Sequence, residues 1–459
     1  MSKLLSPADI VKSGLCIGCG SCVAQADSPG KKMTFDSYGQ LKPTGESAWF
    51  HQPSEGFTRT CPFSPGAKDE DQLASGLFPA ATQHDAALGR FQTAYVGYAA
   101  EEDFRLQGSS GGMVSWVATE LLRKGLIDGV AHVVASKDPQ KEGRYFHYRI
   151  ARTEAEIREG AKSRYYPIEL SEVLDLIREV PGNYAVVGIP CFIKAIHLLR
   201  SENELFRERI KYTLGLFCGH MKSARFIESF ALQMNVPVNE VQRVDFRHKD
   251  PSRPANWYNA RLTMRDGQVF NRDWWHLEDG DWGAGFFMNS ACNFCDDVVA
   301  ETADISFGDA WVEPYSSDGK GTNVVVVRSG QVEQLVASAI AEGRLKLEAV
   351  SSDFVEQTQA AGFRQRREGL AYRLAWWRKG VRPRKRVGPD SKTPTRRRKL
   401  IYRMRFYISA WSHRVFQTAR RLNKPRIYTA WAHTSATVYA ALTYHRGKLG
   451  EAIKKFGLK

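Results

Sequence analysis

The sequence has no run of 18 or more apolar residues, so no segment is predicted to cross a bilayer as a helix. The longest apolar stretch, from Tyr184 to Leu199, is interrupted by Pro190 and Lys194. The first residues lack the apolar stretch and the small-residue cleavage site of a secretory signal. We therefore expect a soluble, cytoplasmic protein. Its 459 residues, 43% of them hydrophobic, suffice for two or three domains and exclude a collagen-like or wholly disordered chain.

Acidic residues are nearly absent from the last hundred positions. Residues 361–459 contain 27 Lys and Arg but only three acids, a net charge of +24, whereas residues 1–360 carry a net charge of −9. The body and the basic tail therefore need not bind the same partner.

Five of the eight cysteines lie in C-x2-C arrays, and a reducing cytoplasm favours metal or redox chemistry over disulfides. The run CIGCGSC contains Cys16, Cys19 and Cys22 and matches the first part of the bacterial ferredoxin signature for a [4Fe-4S] cluster. The next cysteine of that signature is replaced by Ala26, so we expect Cys61 to supply the fourth ligand. A zinc site is the alternative, although zinc usually takes two separated pairs, and unligated thiols are another.

The remaining cysteines form a second set of four. Cys292 and Cys295 make a C-x2-C pair, and Cys191 and Cys218 each follow a predicted strand. Because α/β folds place their chemistry at strand ends, the four thiolates could form a second metal site. In the alternative interpretation, Cys191 and Cys218 are small buried hydrophobic residues.

A turn rich in glycine and serine precedes a predicted amphipathic helix. It consists of Gly108, Ser109, Ser110, Gly111 and Gly112. We expect one of the two serines to be the N-cap, and the turn to suit a phosphate or the polar edge of a flavin. It matches neither G-x-G-x-x-G nor the P-loop, and an ordinary capped helix is the alternative.

Three further polar groups are candidate site residues. Lys162, Ser163 and Arg164 lie in a predicted turn beside aromatic residues. Gly308 and Asp309 end a short predicted strand, where an aspartate binds a sugar hydroxyl or stabilises the turn. His220 and Lys222 follow Cys218. Taken singly, each of these residues is more often structural than catalytic.

Six segments of the chain, between about residues 14 and 328, together resemble the coenzyme F420 hydrogenase/dehydrogenase beta-subunit family. They are CIGCGSC, QGSSGGMVSWVATELLRKGLIDGV, AKSRYYP, VGIPCF, LFCGH and CNFCDDVVAETADISFGDAW. The resemblance implies an iron–sulfur flavoprotein with FAD beside one or two [4Fe-4S] clusters. It implies two ligand sets, which are Cys16, Cys19, Cys22 and Cys61, and Cys191, Cys218, Cys292 and Cys295. It places flavin contacts at residues 108–112, 162–164 and 308–309. Ala26 and the basic tail depart from the family pattern, and the substrate is not implied.

The leading functional hypothesis is an oxidoreductase that passes electrons between the clusters and FAD and so reduces or oxidises a small-molecule substrate. Ferredoxin or another low-potential carrier would be its electron partner, and His220 or Lys222 would protonate the substrate. A second hypothesis is an electron-transfer subunit that uses F420 or ferredoxin within a complex. A third, of another class, is a zinc-stabilised basic binding module.

The tail contains a predicted amphipathic helix. Its apolar positions recur at three- and four-residue steps between arginines, and they are Leu400, Met404, Tyr407, Ile408, Trp411 and Val415. This pattern favours an anionic surface at the inner face of the membrane. The alternatives are an acidic partner, nucleic acid, or packing on the acidic body, and nucleic acid lacks the support of a zinc-finger or RNP-type motif. The Arg- and Pro-rich segment before this helix is predicted to be an exposed linker.

We therefore predict an α/β (α+β) body with an N-terminal ferredoxin-like [4Fe-4S] domain and a basic helical extension. The domains are expected at 1–75 (ferredoxin-like), 76–180 (N-terminal part of the flavin-binding domain), 181–355 (C-terminal part, with the second cluster) and 356–459 (extension). Strands are expected near Tyr95 and at residues 129–135, 184–189, 210–217 and 323–328.

Overall fold

The fold is taken from a computed structural model, which describes residues 3–376 and 380–455. The strands are β1 (Lys32–Phe35), β2 (Leu41–Thr44), β3 (Gln83–Asp85), β4 (Gly89–Phe91), β5 (Thr93–Ala99), β6 (Gly129–Ala135), β7 (Phe146–Ala151), β8 (Tyr184–Gly188), β9 (Ile210–Leu216), β10 (Val241–Asp245), β11 (Asn259–Met264), β12 (Val269–Asp273), β13 (Ile305–Asp309), β14 (Asn323–Val327) and β15 (Leu345–Val350).

The α-helices are α1 (Pro7–Lys12), α2 (Ser21–Gln25), α3 (Ser47–His51), α4 (Glu55–Thr60), α5 (Glu70–Leu77), α6 (Phe104–Gln107), α7 (Met113–Arg123), α8 (Pro139–Glu142), α9 (Glu154–Glu159), α10 (Ser171–Glu179), α11 (Pro190–Glu202), α12 (Glu204–Arg209), α13 (Arg225–Gln233), α14 (Gly330–Ala341), α15 (Ser352–Thr358), α16 (Ala360–Arg366), α17 (Glu368–Trp376), α18 (Arg396–Arg421), α19 (Pro425–Tyr444) and α20 (Gly447–Lys455).

An eight-stranded mixed sheet organises the body, in the order β15-β5-β14-β13-β9-β8-β6-β7. The four strands β13, β9, β8 and β6 run parallel to one another, and the strands outside them pair antiparallel. Strands β8 and β14 are buried along their whole length, because helices and loops cover both faces of the sheet. Each strand predicted from the sequence is present, and the mixed α/β class is confirmed.

The glycine turn leads into a helix as predicted, but the predicted cap is wrong. Helix α7 has Gly112 at its N-cap, with φ +82°, and no side chain caps it. A side chain at this position would meet the Phe104 carbonyl, so the chain needs glycine there. The Ser109 hydroxyl instead accepts from the backbone N–H of Ser163, and the Ser110 hydroxyl donates to the Thr322 carbonyl at 2.9 Å.

The N-terminal segment consists of helices α1 to α5 and the hairpin β1–β2, and it packs against the body. Leu15 and Ile17 share one buried apolar cluster with Val186 of β8 and Ile193 of α11. The ferredoxin-like label for this segment remains a prediction. A second, antiparallel sheet, β10-β11-β12, flanks the main sheet.

The tail is packed on the body to a greater extent than the sequence predicts. Residues 377–379 of the predicted linker lie outside the described residues. Several residues that follow, such as Arg384 and Lys392, are exposed as predicted, but others contact the body. The Lys385 side chain is 3% exposed and pairs with Asp296 at 2.9 Å, and Arg386 pairs with Glu301. Basic residues of this segment therefore neutralise buried acids of the body.

The predicted apolar stripe of α18 does not form one surface. Ile408 is buried in a cluster that includes Phe226 and Phe287 of the body, and Met404 and Val415 pack against it. Leu400, Tyr407 and Trp411 face away from the core and are about half exposed. Across residues 3–376 and 380–455, no helix is both long enough and apolar enough to cross a membrane.

Candidate functional site

The first cysteine set (Cys16, Cys19, Cys22 and Cys61) lies where three short segments meet. Cys16 and Cys19 lie in the loop between α1 and α2, Cys22 is in α2, and Cys61 caps the end of α4. Together with Ile10, Leu15, Phe57 and Phe63, these cysteines line one small pocket.

Glycines let the loop of the first set approach its neighbours closely. Gly18 and Gly20 have φ values of +83° and +79°. A Cβ at Gly18 would lie 2.6 Å from the Leu41 carbonyl oxygen, and one at Gly20 would overlap the Glu169 carboxylate. Any residue other than glycine at these two positions would therefore strain the backbone of the CIGCGSC loop.

The second cysteine set (Cys191, Cys218, Cys292 and Cys295) lies at the ends of the parallel strands β8 and β9. Cys191 lies in the first turn of α11 just after β8, and Cys218 follows β9. Cys292 lies in a short 3-10 turn, and Cys295 caps the end of that turn. The backbone N–H of Met221 donates a hydrogen bond to the Cys292 sulfur at 3.3 Å. The predicted meeting of strand ends with the C-x2-C loop is present.

Both sets lie in or against the same buried apolar cluster, which contains or contacts every cysteine except Cys218. All eight cysteines are free thiols. Burial raises the pKa of Cys19 and of Cys292 to about 11, and that of Cys218 to about 12. Such thiols ionise only with a strong positive partner, and a bound metal is one.

The cysteines that influence each other's pKa values fall into the two sets. Burial, and then the thiolates of Cys19, Cys16 and Cys61, raise the pKa of Cys22 well above its usual value. The same holds for Cys191, where the neighbours are the other three members of the second set and Cys19. Each set is therefore a group of four, and Cys19 and Cys191 bring the two groups together.

No group of three or more His, Cys, Asp or Glu side chains in the described part of the chain is arranged to hold a metal ion. A [4Fe-4S] cluster differs from a single ion because each thiolate binds a different iron atom. The donor type, burial and grouping of the two sets fit such clusters, and the ligand assignments remain predictions.

The predicted flavin contacts are brought together from distant parts of the chain. The backbone N–H of Ser163 donates to the Ser109 hydroxyl at 2.8 Å. The side chain of Asn323 accepts from the N–H of Met113 and donates to the carbonyl of Gly308 at 2.9 Å. Asn323 was not a candidate from sequence, because only the pairing of β14 with β13 places it between these two segments.

Cations without partners surround this turn. The side chains of Lys162 and Arg164 make no hydrogen bond or ion pair within residues 3–376 and 380–455, and Arg164 Nε is buried. Burial lowers the pKa of Lys162 and lowers that of Arg164 to about 10, while Asp245 opposes the shift of both. Unpaired, partly buried cations beside a glycine turn fit an anionic group such as the diphosphate of FAD.

Two more cations of this region follow β10 in the run RHK, a signal that the sequence interpretation did not use. Arg247 pairs with Asp309 through both oxygens at 3.0 and 3.2 Å, so the predicted hydroxyl-binding carboxylate already has a partner. Lys249 donates to the carbonyl of Ser110 at 2.8 Å. Burial, and then the charges of Lys162 and Arg247, lower the pKa of Lys249 to about 7.

A cavity of about 640 Å³ opens beside this cationic region. Its lining includes His248, Lys249, Arg253, Trp257, Arg261 and His276. The predicted proton donors, His220 and Lys222, do not line it. Both are buried, and the Lys222 ammonium donates to the Phe286 carbonyl at 2.6 Å.

His220 instead belongs to an aromatic bridge. Its ring stacks on Trp282 with the ring centres 4.0 Å apart, and Trp282 lies 4.8 Å from the ring of Tyr165. Gly219 lies against the same indole, because a Cβ there would be 2.5 Å from Trp282 Nε1. The bridge thus runs from the second cysteine set to the turn that holds Lys162 and Arg164.

Two family models match the chain. The N-terminal model of the coenzyme F420 hydrogenase/dehydrogenase beta subunit matches residues 94–175, and the C-terminal model matches residues 182–353. The chain belongs to this oxidoreductase family. The matched segments contain the eight-stranded sheet, the glycine turn and the second cysteine set, while the first set and most of the tail lie outside them.

One curated relative is the coenzyme F420-dependent sulfite reductase of Methanocaldococcus jannaschii, which is 22% identical over 395 residues. The alignment covers 80% of this chain and 53% of the relative, so the chain spans about half the length of that protein. A chain of the F420-reducing [NiFe] hydrogenase complex from Methanosarcina barkeri has the same fold, with a TM-score of 0.50 and 17% identity. That match covers 66% of this chain and 99% of the other.

Proposed function

We propose that the chain is an iron–sulfur flavoprotein that passes electrons between two [4Fe-4S] clusters and FAD, and thereby reduces or oxidises a small molecule. The observation that carries this proposal is the placement of the two buried cysteine groups. The groups adjoin through Cys19 and Cys191, and His220 and Trp282 lie between the second group and the glycine turn.

The chain's own residues have distinct tasks in this proposal. The apolar cluster around the cysteines excludes water, which strengthens electrostatic interactions there. Lys162 and Arg164 bind the negative diphosphate of FAD, and the glycine turn allows its close approach. Lys249 donates its three N–H groups to the carbonyls of Arg105, Ser110 and Lys320 and adds its positive charge beside the turn. When bound, FAD supplies the conversion between one-electron and two-electron transfer. The open cavity beside Lys249 is the entrance for the small molecule.

The test is the iron, acid-labile sulfide, zinc and flavin content of protein purified without oxygen. We expect about eight irons and eight sulfides per chain with one FAD, as two clusters require. Cys22→Ser and Cys295→Ser should each lower the iron content by about four. Zinc without flavin would overturn the proposal in favour of a basic binding module.

A second candidate is an electron-transfer subunit of a larger complex, with F420 or ferredoxin as the carrier. It is favoured by the similarity in fold to a chain of a hydrogenase complex. Catalytic turnover by the isolated chain, with reduced ferredoxin or F420 as the electron donor, would support the first proposal. Uptake of electrons by the isolated chain without catalytic turnover would support the second.

We also propose that the outer face of α18 binds an anionic membrane surface. Leu400, Tyr407 and Trp411 are 43%, 53% and 47% exposed and lie on the side away from the core. Arg414 lies over the Trp411 ring, and α18 contains no acidic residue. Aromatic residues among arginines are typical of membrane interfaces.

Sedimentation with vesicles tests this surface. The full chain should sediment with phosphatidylglycerol vesicles, in a salt-sensitive manner, and not with phosphatidylcholine vesicles. Tyr407→Ser with Trp411→Ser should reduce binding several-fold, whereas Trp275→Ser, which changes another exposed tryptophan on the body, should not. Equal binding by all three proteins would contradict the proposal.

A further inference from the structure

One buried arginine distinguishes the second cysteine set from the first. Arg366 ends α16, beyond the segments that match the family models, and is 3% exposed. Its guanidinium donates to the carbonyls of Cys218 at 2.5 Å, Gly219 at 2.9 Å and Asp297 at 2.7 Å. Three backbone carbonyls therefore fix a cation beside two segments that carry cysteines of the second set.

The charge of Arg366 acts on the sulfurs as well as on the backbone. Its guanidinium donates to the carbonyl of Cys218 itself and to that of Asp297, two residues after Cys295, so the charge lies beside both cysteines. Because Arg366 is buried, water screens this charge only weakly. Arg366 is thus a permanent positive charge in a dry environment beside both cysteines.

Within the described residues, no buried cation hydrogen-bonds the backbone of a cysteine of the first set. Lys42 lies nearby, but its ammonium is half-buried and hydrogen-bonds the backbone carbonyl of Cys16 at 2.7 Å. The two sets therefore differ in local charge, although each supplies four thiolates.

We propose that Arg366 is a positioning residue that raises the midpoint reduction potential of the cluster held by the second set relative to the cluster held by the first. This inference rests on the proposed function. One electron makes a cluster with its thiolates one unit more negative, and a fixed cation in a low-dielectric interior favours the more negative state. An electron that enters through the first set is thereby drawn to the second set, beside the aromatic bridge.

The experiment is a redox titration of the full-length, cluster-loaded protein with dithionite and mediator dyes, followed by electron paramagnetic resonance. Each cluster takes up one electron from dithionite, and Cys22→Ser and Cys295→Ser assign the two signals. Arg366→Gln removes the charge but keeps a hydrogen-bond donor, and Arg366→Lys keeps the charge. The control, Arg367→Met, removes the neighbouring cation, which pairs with Glu301.

We expect Arg366→Gln to move only the second-set potential, to a more negative value. Arg366→Lys should leave it near the wild-type value, and Arg367→Met should move neither. An unchanged potential in Arg366→Gln, or an equal shift of both clusters, would overturn the inference. So would a loss of about four irons from both Arg366 variants, since the role would then be packing. Wild-type protein with fewer than about eight irons would instead refute the two-cluster function itself.

Discussion

Lys162 and Arg164 show how a partly buried cation indicates a ligand. Removing a cation from water costs several kcal/mol unless an opposite charge or hydrogen bonds offset it. Elsewhere in the fold, buried cations have such partners, as Lys385 has Asp296. Within residues 3–376 and 380–455, Arg164 has no ion pair or hydrogen bond, and its guanidinium lies 5.0 Å from the centre of the Phe146 ring. An anion bound at the glycine turn would supply the missing partner.

The first prediction concerns Arg164. Arg164→Met should weaken FAD binding to the flavin-free protein by about 10- to 100-fold, because a charge-assisted hydrogen bond is worth about 1.5–3 kcal/mol. Fluorescence titration with FAD measures the change. Arg144→Met, which removes a partly exposed arginine paired with Glu172, is the matched control and should bind FAD normally. Equal affinities of the two variants would argue against a diphosphate at Arg164.

The second prediction concerns Lys249, whose pKa is lowered to about 7 by burial and by the charges of Lys162, Arg247 and Arg105. The ammonium form attracts an anion and the neutral amine does not, so FAD affinity should fall as pH rises from about 6 to 8. Titrations at several pH values measure this. In Lys249→Gln the affinity should be lower at pH 6 and nearly independent of pH. An unaltered pH profile in the variant would assign the titration to another group.

At the scale of elements, the glycine turn is held by long-range contacts that sequence spacing does not report. A Cβ at Gly111 would lie 2.8 Å from Asn323 Oδ1 and 2.8 Å from the Gly97 carbonyl oxygen. These contacts arise because β14 pairs with β5, which precedes the turn, and with β13. Both β13 and β14 follow the turn at a large separation in sequence. The shape of the proposed flavin site thus depends on the order of strands in the sheet.

The third prediction tests this dependence. Gly111→Ala should lower the free energy of unfolding by about 1–3 kcal/mol, the usual cost of overpacking, and should abolish FAD binding. Gly330→Ala, at the start of α14, has open space around its Cβ and should be nearly neutral. Urea unfolding and FAD titration measure both variants. Normal FAD binding by Gly111→Ala would mean that the turn does not contact the cofactor.

The strands and the helix after the glycine turn were predictable because their apolar residues follow local periodicity. Grouping of the cysteines was also predictable, since Cys191 and Cys218 both end parallel strands. The cap of α7 was not, because it depends on the positive φ of Gly112 rather than on a serine hydroxyl. Asn323 and Arg366 could not be assigned roles either, since their partners lie far away in sequence.

At the scale of the whole molecule, part of the positive charge of the tail is neutralised by acidic residues of the body. The composition predicts a basic tail, but it does not show which cations are buried against acids. Lys385, Arg386 and Arg420 pair with Asp296, Glu301 and Glu228 of the body. The tail is therefore a structural part of the protein as well as a basic surface.

The last prediction concerns the buried pair between tail and body. Lys385→Met should lower the free energy of unfolding by about 3–5 kcal/mol, because it leaves the Asp296 carboxylate buried with less compensation. Lys385 holds the pKa of Asp296 well below its usual range, and Arg386, 3.5 Å from Asp296, replaces it only in part.

Urea unfolding of protein with measured iron content tests this pair. Lys392→Met, which removes an exposed tail cation, should change stability by no more than about 0.5 kcal/mol. Adding Asp296→Asn to Lys385→Met should restore much of the loss, because the uncompensated charge is then absent. If Lys385→Met proved as stable as Lys392→Met, the tail would not be anchored through this pair, and its attachment would depend on the apolar contacts of α18 and α19 alone.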